Sequence, residues 1–408
     1  MNEIKFKIPT FDSRRQNYLD KVIPFIDKNL IKVVLGQRRV GKSFFMFEIM
    51  DYIRKQNPEA QIIYISKELL EFDFIKTYLD LASYLENQIK SDVRHYIFID
   101  EIQDIQEFEK TLRSLQAEAK HDLYITGSNA FLLSGELSTY LSGRYIEVTL
   151  HTLSFQEYLK FHRLQESKKV FLQYLRYGGL PFLIHLPLKD DIVFDYTRNI
   201  YAAILFKDVV ARHEIRNVSL LENLVKLLAD STGSIVSAKS ISDFLKSQRM
   251  EISPNVILNY LGYMEQAFFI NKTTRMEVVG RKQLEIGQKY YFEDLGLRNS
   301  LVGFKQTDIG KMLENVVYLH LKILGYQVFV GKNGDKEIDF IAEKDNERIY
   351  VQVAYLLADE STKEREFGNL LQIKDNYPKY VVTMDDEAGG NTLGIKHLHV
   401  MDFVMDRW

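Results

Sequence analysis

Residues 33 to 46 read VVLGQRRVGKSFFM. An apolar run enters a loop at Gly36, and Gly41-Lys42-Ser43 leads directly into a second apolar run. The spacing Gly36-x-x-x-x-Gly41-Lys42-Ser43 meets the phosphate-loop pattern at every required position. "IKVVLG" reads as a buried strand and "SFFMFEIMDYIRKQ" as an amphipathic helix, the context such a loop needs. Glycines let the backbone turn its N–H groups toward phosphate oxygens, and the helix N-terminus adds partial positive charge. Lys42 is placed to reach the β- and γ-phosphates, and the Ser43 hydroxyl to coordinate Mg²⁺. An ordinary strand-to-helix turn with a chance lysine is the competing reading, and the flanking strand and helix argue against it. Arg38 and Arg39 read as solvated loop positions or as contacts to phosphate or a partner. The loop constrains the fold to an α/β domain with a parallel sheet.

Two further stretches belong with it. In "RHYIFIDEIQDI" an apolar strand ends in Asp100-Glu101, and the C-terminal edge of a strand is where an α/β sheet presents groups to ligand. Asp100 is the candidate Mg²⁺ partner and Glu101 the candidate base that polarises water. In "HDLYITGSNAFLL" a third strand ends in Gly127-Ser128-Asn129. Ser128 and Asn129 are candidate γ-phosphate sensors; the same residues also read as a turn that caps the next helix.

Composition narrows the class. The chain has 408 residues, enough for two or three domains, and a formal net charge of −3, so no overall basic field attracts nucleic acid. It contains no cysteine, which excludes disulfides and thiolate zinc sites and fits a reducing compartment. No apolar run approaches the ~20 residues that span a bilayer. "MNEIKFKIPTFDSRRQNYLD" lacks the apolar core of a secretory signal. These features predict a cytoplasmic protein with no membrane partner.

Taken together, the Gly36–Ser43 loop, Asp100-Glu101, "TGSNA" and "LSGRYIEVTLHTLSFQEYL" resemble a family of AAA-type ATPases of bacteria and archaea. That family is related to the STAND-type signalling ATPases, and its members carry a C-terminal domain of unknown function. The resemblance covers essentially the whole chain and is strongest up to about residue 185. It implies ATP and Mg²⁺ as cofactors and ATP hydrolysis as the activity. Within the family pattern, Arg144 follows the sensor strand and could approach the γ-phosphate in its own chain or across a subunit boundary. That second option implies an oligomer; a salt bridge near the next strand is the alternative role. "YGGLP" resembles the Gly-x-Pro element in which a proline sits against adenine, so Pro181 and Gly179 are the matching residues. A plain helix break is the alternative. Tyr18 lies where the family's adenine-side segment lies.

The chain divides on this reading into an ATPase core over 1–153, a helical region over 154–218, a winged helix-turn-helix over 219–300 and a small α/β domain over 301–408. The third part reads helix, turn, helix and β-ribbon. Residues 222–289 hold nine Lys or Arg against seven Asp or Glu, a net of +2, modest for a DNA-binding domain. Arg275, Arg281 and Lys282 could touch phosphates of double-stranded DNA; a protein partner is the alternative use of this fold. The last part resembles the PD-(D/E)XK nuclease fold. Glu314 matches its helix acid and Asp339 its strand aspartate, but Gln352 and Ala354 stand where an active member has Glu and Lys. A nuclease-like fold without cleavage is expected.

Overall fold

The computed structural model describes residues 8–90, 93–130 and 143–408. Its contacts divide the chain into two units: Met1–Leu150 with Gln266–Phe268, and His151–Glu265 with Phe269–Trp408.

The first unit is an α/β layer structure. Strands β1 (Ile31–Leu35), β2 (Gln61–Ser66), β3 (His95–Asp100), β4 (Asp122–Gly127) and β5 (Tyr145–Thr149) form one sheet in the order β2-β3-β4-β1-β5. Every neighbouring pair is parallel. The strands read as continuous apolar runs because both faces are covered, which is what a parallel sheet requires. Helices Lys42–Gln56, Tyr78–Gln88 and Glu109–Glu118 supply the crossovers. Ile31, Val33, Leu35, Ile97, Ile99 and Ile125 pack in one cluster with Leu81, Leu85 and Leu112 from the helices. The order has one consequence for chemistry. Because β4 lies between β1 and β3, the C-terminal tips of all three strands stand side by side.

The opposite end of the sheet carries a buried ion pair. The Lys32 ammonium meets the Asp122 carboxylate with both side chains fully enclosed. Asp122 also accepts from the Asp27 N–H (2.9 Å) and the Tyr124 hydroxyl (2.7 Å), and Lys32 donates to the Lys28 carbonyl (3.0 Å). Burial pushes the Lys32 amine down, against the pull of Asp122.

The second unit begins with helices Phe155–His162, Lys168–Tyr177 and Asp190–Ala203, the last continuing in π-helical form over Ile204–Ala211. Helices Val218–Asp230, Ala238–Ser247 and Pro254–Gln266 follow, then a hairpin of β6 (Ile270–Glu277) and β7 (Gln283–Phe292). Six more strands complete the unit: β8 (Gln327–Asn333), β9 (Lys336–Lys344), β10 (Glu347–Val353), β11 (Lys379–Thr383), β12 (Asn391–Thr392) and β13 (Ile395–His399). They form an eight-stranded sheet in the order β12-β13-β11-β10-β9-β8-β6-β7. The hairpin that sequence reading groups with the three helices before it therefore shares a sheet with the six strands that follow residue 301. Helix Ile309–Ile323 covers this sheet with Met312, Leu313, Val316 and Val317 against Phe340, Val351 and Val382.

Removing one partner of the Lys32–Asp122 pair strands a charge in a dry interior. Asp122→Ala is expected to cost about 3–5 kcal/mol, read as a lowered urea midpoint at unchanged slope.

Candidate functional site

The loop from Gly36 to Ser43 is held by close backbone packing. Gly36 has φ of +147°, and a Cβ there would run into the Leu150 carbonyl oxygen. Gly41, at φ +95°, is the residue before helix Lys42–Gln56, a left-handed position that glycine takes without strain. The Lys42 ammonium folds back over the loop and donates to the carbonyls of Gly36 and Gln37, 3.2 Å each. It also lies 3.3 Å from the Glu101 carboxylate and is nearly enclosed.

The acidic strand tip is equally constrained. Asp100 accepts hydrogen bonds from Thr126 and from the Tyr64 hydroxyl (3.2 Å), and bonds with the Ser43 side chain. Burial raises its carboxyl despite those bonds. Glu101 adopts left-handed φ of 53° and donates its N–H to the Thr126 hydroxyl at 2.9 Å. Burial alone would raise the Glu101 carboxyl too. The Lys42 ammonium, the Gln103 amide that donates to the same carboxylate and the charge of Arg38 together outweigh it, so the group is held down to about 2. Two adjacent carboxyls thus have opposite proton affinities, set by what each one faces.

Other polar groups here are buried without partners among the described residues: both ends of the Gln37 amide and the Ser128 hydroxyl, each with no exposed surface. Unpaired buried polar atoms cost stability, and a polar ligand would satisfy them. The donors that could hold a magnesium ion are the oxygens of Ser43 and Asp100, the hard type that ion takes.

Gly36, Gly41, Lys42, Ser43, Asp100, Glu101, Ser128 and Asn129 therefore stand on one edge of the sheet. A helix capped by Gly127–Asn129 would fall in 131–142, outside the described residues. Arg144 is elsewhere. Its carbonyl accepts from the Ile31 N–H at 2.9 Å, and Tyr145 pairs with Ile31, so it sits at the opposite end of β1. Five residues of strand, roughly 16 Å, separate that level from Gly36, more than an arginine side chain spans within one chain. Tyr18 is a core residue, edge-on to Phe45 at 6.3 Å. Sequence reading passed over Thr126, Gln103, Tyr64 and Gln37. The signal for Thr126 was a polar residue ending an apolar strand, which becomes informative once that strand is known to neighbour β3.

A family model for an AAA domain matches residues 28–159, and one for a domain of unknown function (DUF8612) matches residues 168–308. A Haemophilus influenzae protein described as uncharacterized is 36% identical over 399 residues, spanning 96% of this chain and 98% of that protein. The chain belongs to the same family. An uncharacterized protein of Methanocaldococcus jannaschii is 30% identical, over 90% of this chain and 84% of its own length. Among solved structures, a Walker-type ATPase of Pyrococcus abyssi superposes with TM-score 0.50 at 14% identity, over 72% of this chain and 96% of that one. That likeness is one of fold. Sheet order, loop and AAA match together give an AAA-type P-loop ATPase domain, followed by a sheet-rich C-terminal region. No helix among the described residues is long and apolar enough to cross a membrane.

Pro181 belongs to the second unit, where it opens the 3₁₀ turn Pro181–His185. The glycines before it have a local reason. The buried Asp294 carboxylate accepts the N–H of Gly179 (2.7 Å) and of Leu297 (3.0 Å), and a Cβ on Gly178 would collide with it. A Cβ on Gly179 would meet the Leu153 carbonyl. Burial raises the Asp294 carboxyl to about 6, against those hydrogen bonds. The folded state then holds this proton more tightly than the unfolded chain, whose aspartate titrates near 3.8. The contribution is fully present below pH ~3.8 and is lost as pH rises through ~6. Relative to Asp294→Asn, the wild type should lose about 1–3 kcal/mol between pH 4 and pH 7, measured by urea unfolding across that range.

Proposed function

We propose that this chain is an ATP-driven switch: it binds ATP with Mg²⁺, hydrolyses it slowly, and passes the nucleotide state to its C-terminal region. The observation that carries the reading is the Lys42 ammonium held by two loop carbonyls and Glu101, one residue from a serine bonded to Asp100. On this reading Lys42 exchanges those contacts for β- and γ-phosphate oxygens. Its departure frees Glu101, whose carboxylate then orients water and takes its proton. Ser43 and Asp100 hold the magnesium ion, which when bound neutralises charge on the phosphate oxygens. Ser128 and Asn129, just past the tip of the strand between, sense the γ-phosphate. Gly36 and Gly41 shape the cradle. Pro181 against the adenine rests on the family resemblance, and so does Arg144, whose place on the sheet leaves it a role only from a neighbouring copy in an oligomer. The cell compartment consistent with a cysteine-free chain is the cytoplasm.

For the C-terminal region we favour a protein-facing role. Helices 218–230, 238–247 and 254–266 with the β6–β7 hairpin fit a winged helix-turn-helix. The exposed face of Pro254–Gln266 presents Asn255, Leu258 and Asn259 and no cation, and Arg281 is engaged with the Tyr377 hydroxyl at 3.3 Å. That helix face offers no cation to the phosphates that dominate DNA affinity, which leaves exposed Lys282 on the hairpin as the remaining sequence-predicted contact with open surface. The strands beyond residue 327 fit a nuclease-like fold in which Gln352 and Ala354 supply neither the charge nor the amine that cleavage requires.

Lys42→Ala is expected to weaken ATP binding at least roughly tenfold, about 1.4 kcal/mol, in a fluorescent-nucleotide titration; unchanged affinity would end the reading. Glu101→Gln should keep affinity and lower turnover about 10²–10⁴-fold. Turnover should not respond to double-stranded DNA at low salt. A DNA-stimulated rate that disappears in Glu101→Gln would make DNA the partner instead.

A further inference from the structure

The second unit contains a charge cluster that plays no part in the nucleotide reading. Three carboxylates converge on one point. Glu314 reaches it from helix Ile309–Ile323, and Glu337 and Asp339 from β9. At that point sits the ammonium of Lys289, delivered by β7, 2.7 Å from Glu314, 2.7 Å from Glu337 and 3.3 Å from Asp339. The lysine side chain is only 2% exposed.

The surroundings keep the oxygens aimed. The Tyr291 hydroxyl donates to Glu314 (2.6 Å), and the Val353 N–H donates to Asp339 (2.8 Å). Gly233 closes the remaining side of Glu314, where a Cβ would come within 2.9 Å of Oε2. The backbone makes the reach feasible. The β6–β7 pairing shifts register between Thr273 and Arg275, while β6 meets β8 only from Arg275 to Glu277. Lys289, opposite Thr273, therefore lies past the bulge, where the hairpin has left the β8 ladder.

Carboxylate oxygens from a helix and a strand, oriented on one centre, are the kind of donor that a hard divalent cation takes, although with Lys289 in place no group of three such side chains among the described residues is arranged to hold an ion. Lysine is the side chain that best imitates such an ion, as a compact charge with donors in several directions. We propose that Lys289 is a tethered cation filling a three-carboxylate seat that would otherwise take a divalent metal ion. The plug keeps the C-terminal sheet metal-free and pins the hairpin to helix Ile309–Ile323 and β9. Burial alone would depress the Lys289 amine, yet the carboxylates overcome it and keep the charge in place. The inference is independent of ATP.

The test is Mn²⁺ binding to the nucleotide-free full chain, followed by electron paramagnetic resonance. Wild type should show no site that depends on Asp339. Lys289→Ser should gain one Mn²⁺ per chain, lost again in Lys289→Ser/Asp339→Asn, and Mn²⁺ should raise its Tm while leaving that of wild type unchanged. Folding of Lys289→Ser only in the presence of Mn²⁺ would support the seat equally. An Asp339-dependent site in wild type overturns the proposal, and so does a folded Lys289→Ser that gains none. Should Lys289→Ser not fold under any condition, Lys289→Met/Glu314→Gln decides. It keeps the bulk and removes one charge of each sign, so it should fold without binding Mn²⁺; failure to fold overturns the counter-ion role.

Discussion

A lysine ammonium withdrawn from water has to be met by oxygen, and the Lys42 ammonium sets the terms for the first unit. Two loop carbonyls and Glu101 meet it. That contact fixes the curl of the loop and holds a catalytic candidate in its ionised form. It also links the first strand to the third across the fourth. Lys32 and Asp122 solve the same problem at the far end of the sheet. The two ends differ in kind. Lys32 is fully enclosed against a carboxylate that is itself held by the Asp27 N–H and the Tyr124 hydroxyl, so it serves stability. Lys42 leans on two loop carbonyls and one carboxylate, contacts that a more highly charged ligand can replace, beside polar atoms that have no partner among the described residues.

The second unit uses buried charge in a third way. Arg298, fully enclosed, donates to the Ala229 carbonyl, to Asn299 and to Asp308. Asn299 in turn donates to the carbonyls of Leu175 and Arg176. Asp294, which caps the same short helix, Leu295–Val302, accepts the Gly179 N–H. Asp294, Arg298 and Asn299 thus fasten the ends of three helices through hydrogen bonds rather than through apolar area. Half-satisfied networks of this kind are costly, so the segment tolerates change poorly even though it is short and distant from the nucleotide loop.

Part of this was legible in the sequence, and the reason is distance along the chain. The phosphate loop is eight consecutive residues, and its chemistry is written in one stretch. Asp100 was found because a carboxylate ends an apolar run. The parallel sheet followed from strands that read apolar throughout. What depended on neighbours far away in sequence was not legible. Thr126 matters through Asp100, Lys289 through residues 25 to 50 positions later, and Asp294 through glycines over a hundred positions earlier. A lone lysine in "IGQKYYF" looks like any solvated strand residue until the sheet is assembled. Arg144 shows the converse. Its neighbourhood in sequence suggested the phosphate edge, but β5 runs parallel to β1 and so begins at the other end.

The sharing of one sheet by the hairpin and the later strands bears on how this protein can be taken apart. Residue 300 lies between two recognisable patterns and invites a cut. A fragment starting there would lose β6 and β7, leaving β8 with a bare edge and three carboxylates with no cation among them. Unpaired edges template association between chains, so the fragment would tend to clump rather than fold. The contact boundary lies near residue 150 instead, and all that follows it apart from Gln266–Phe268 belongs to one unit.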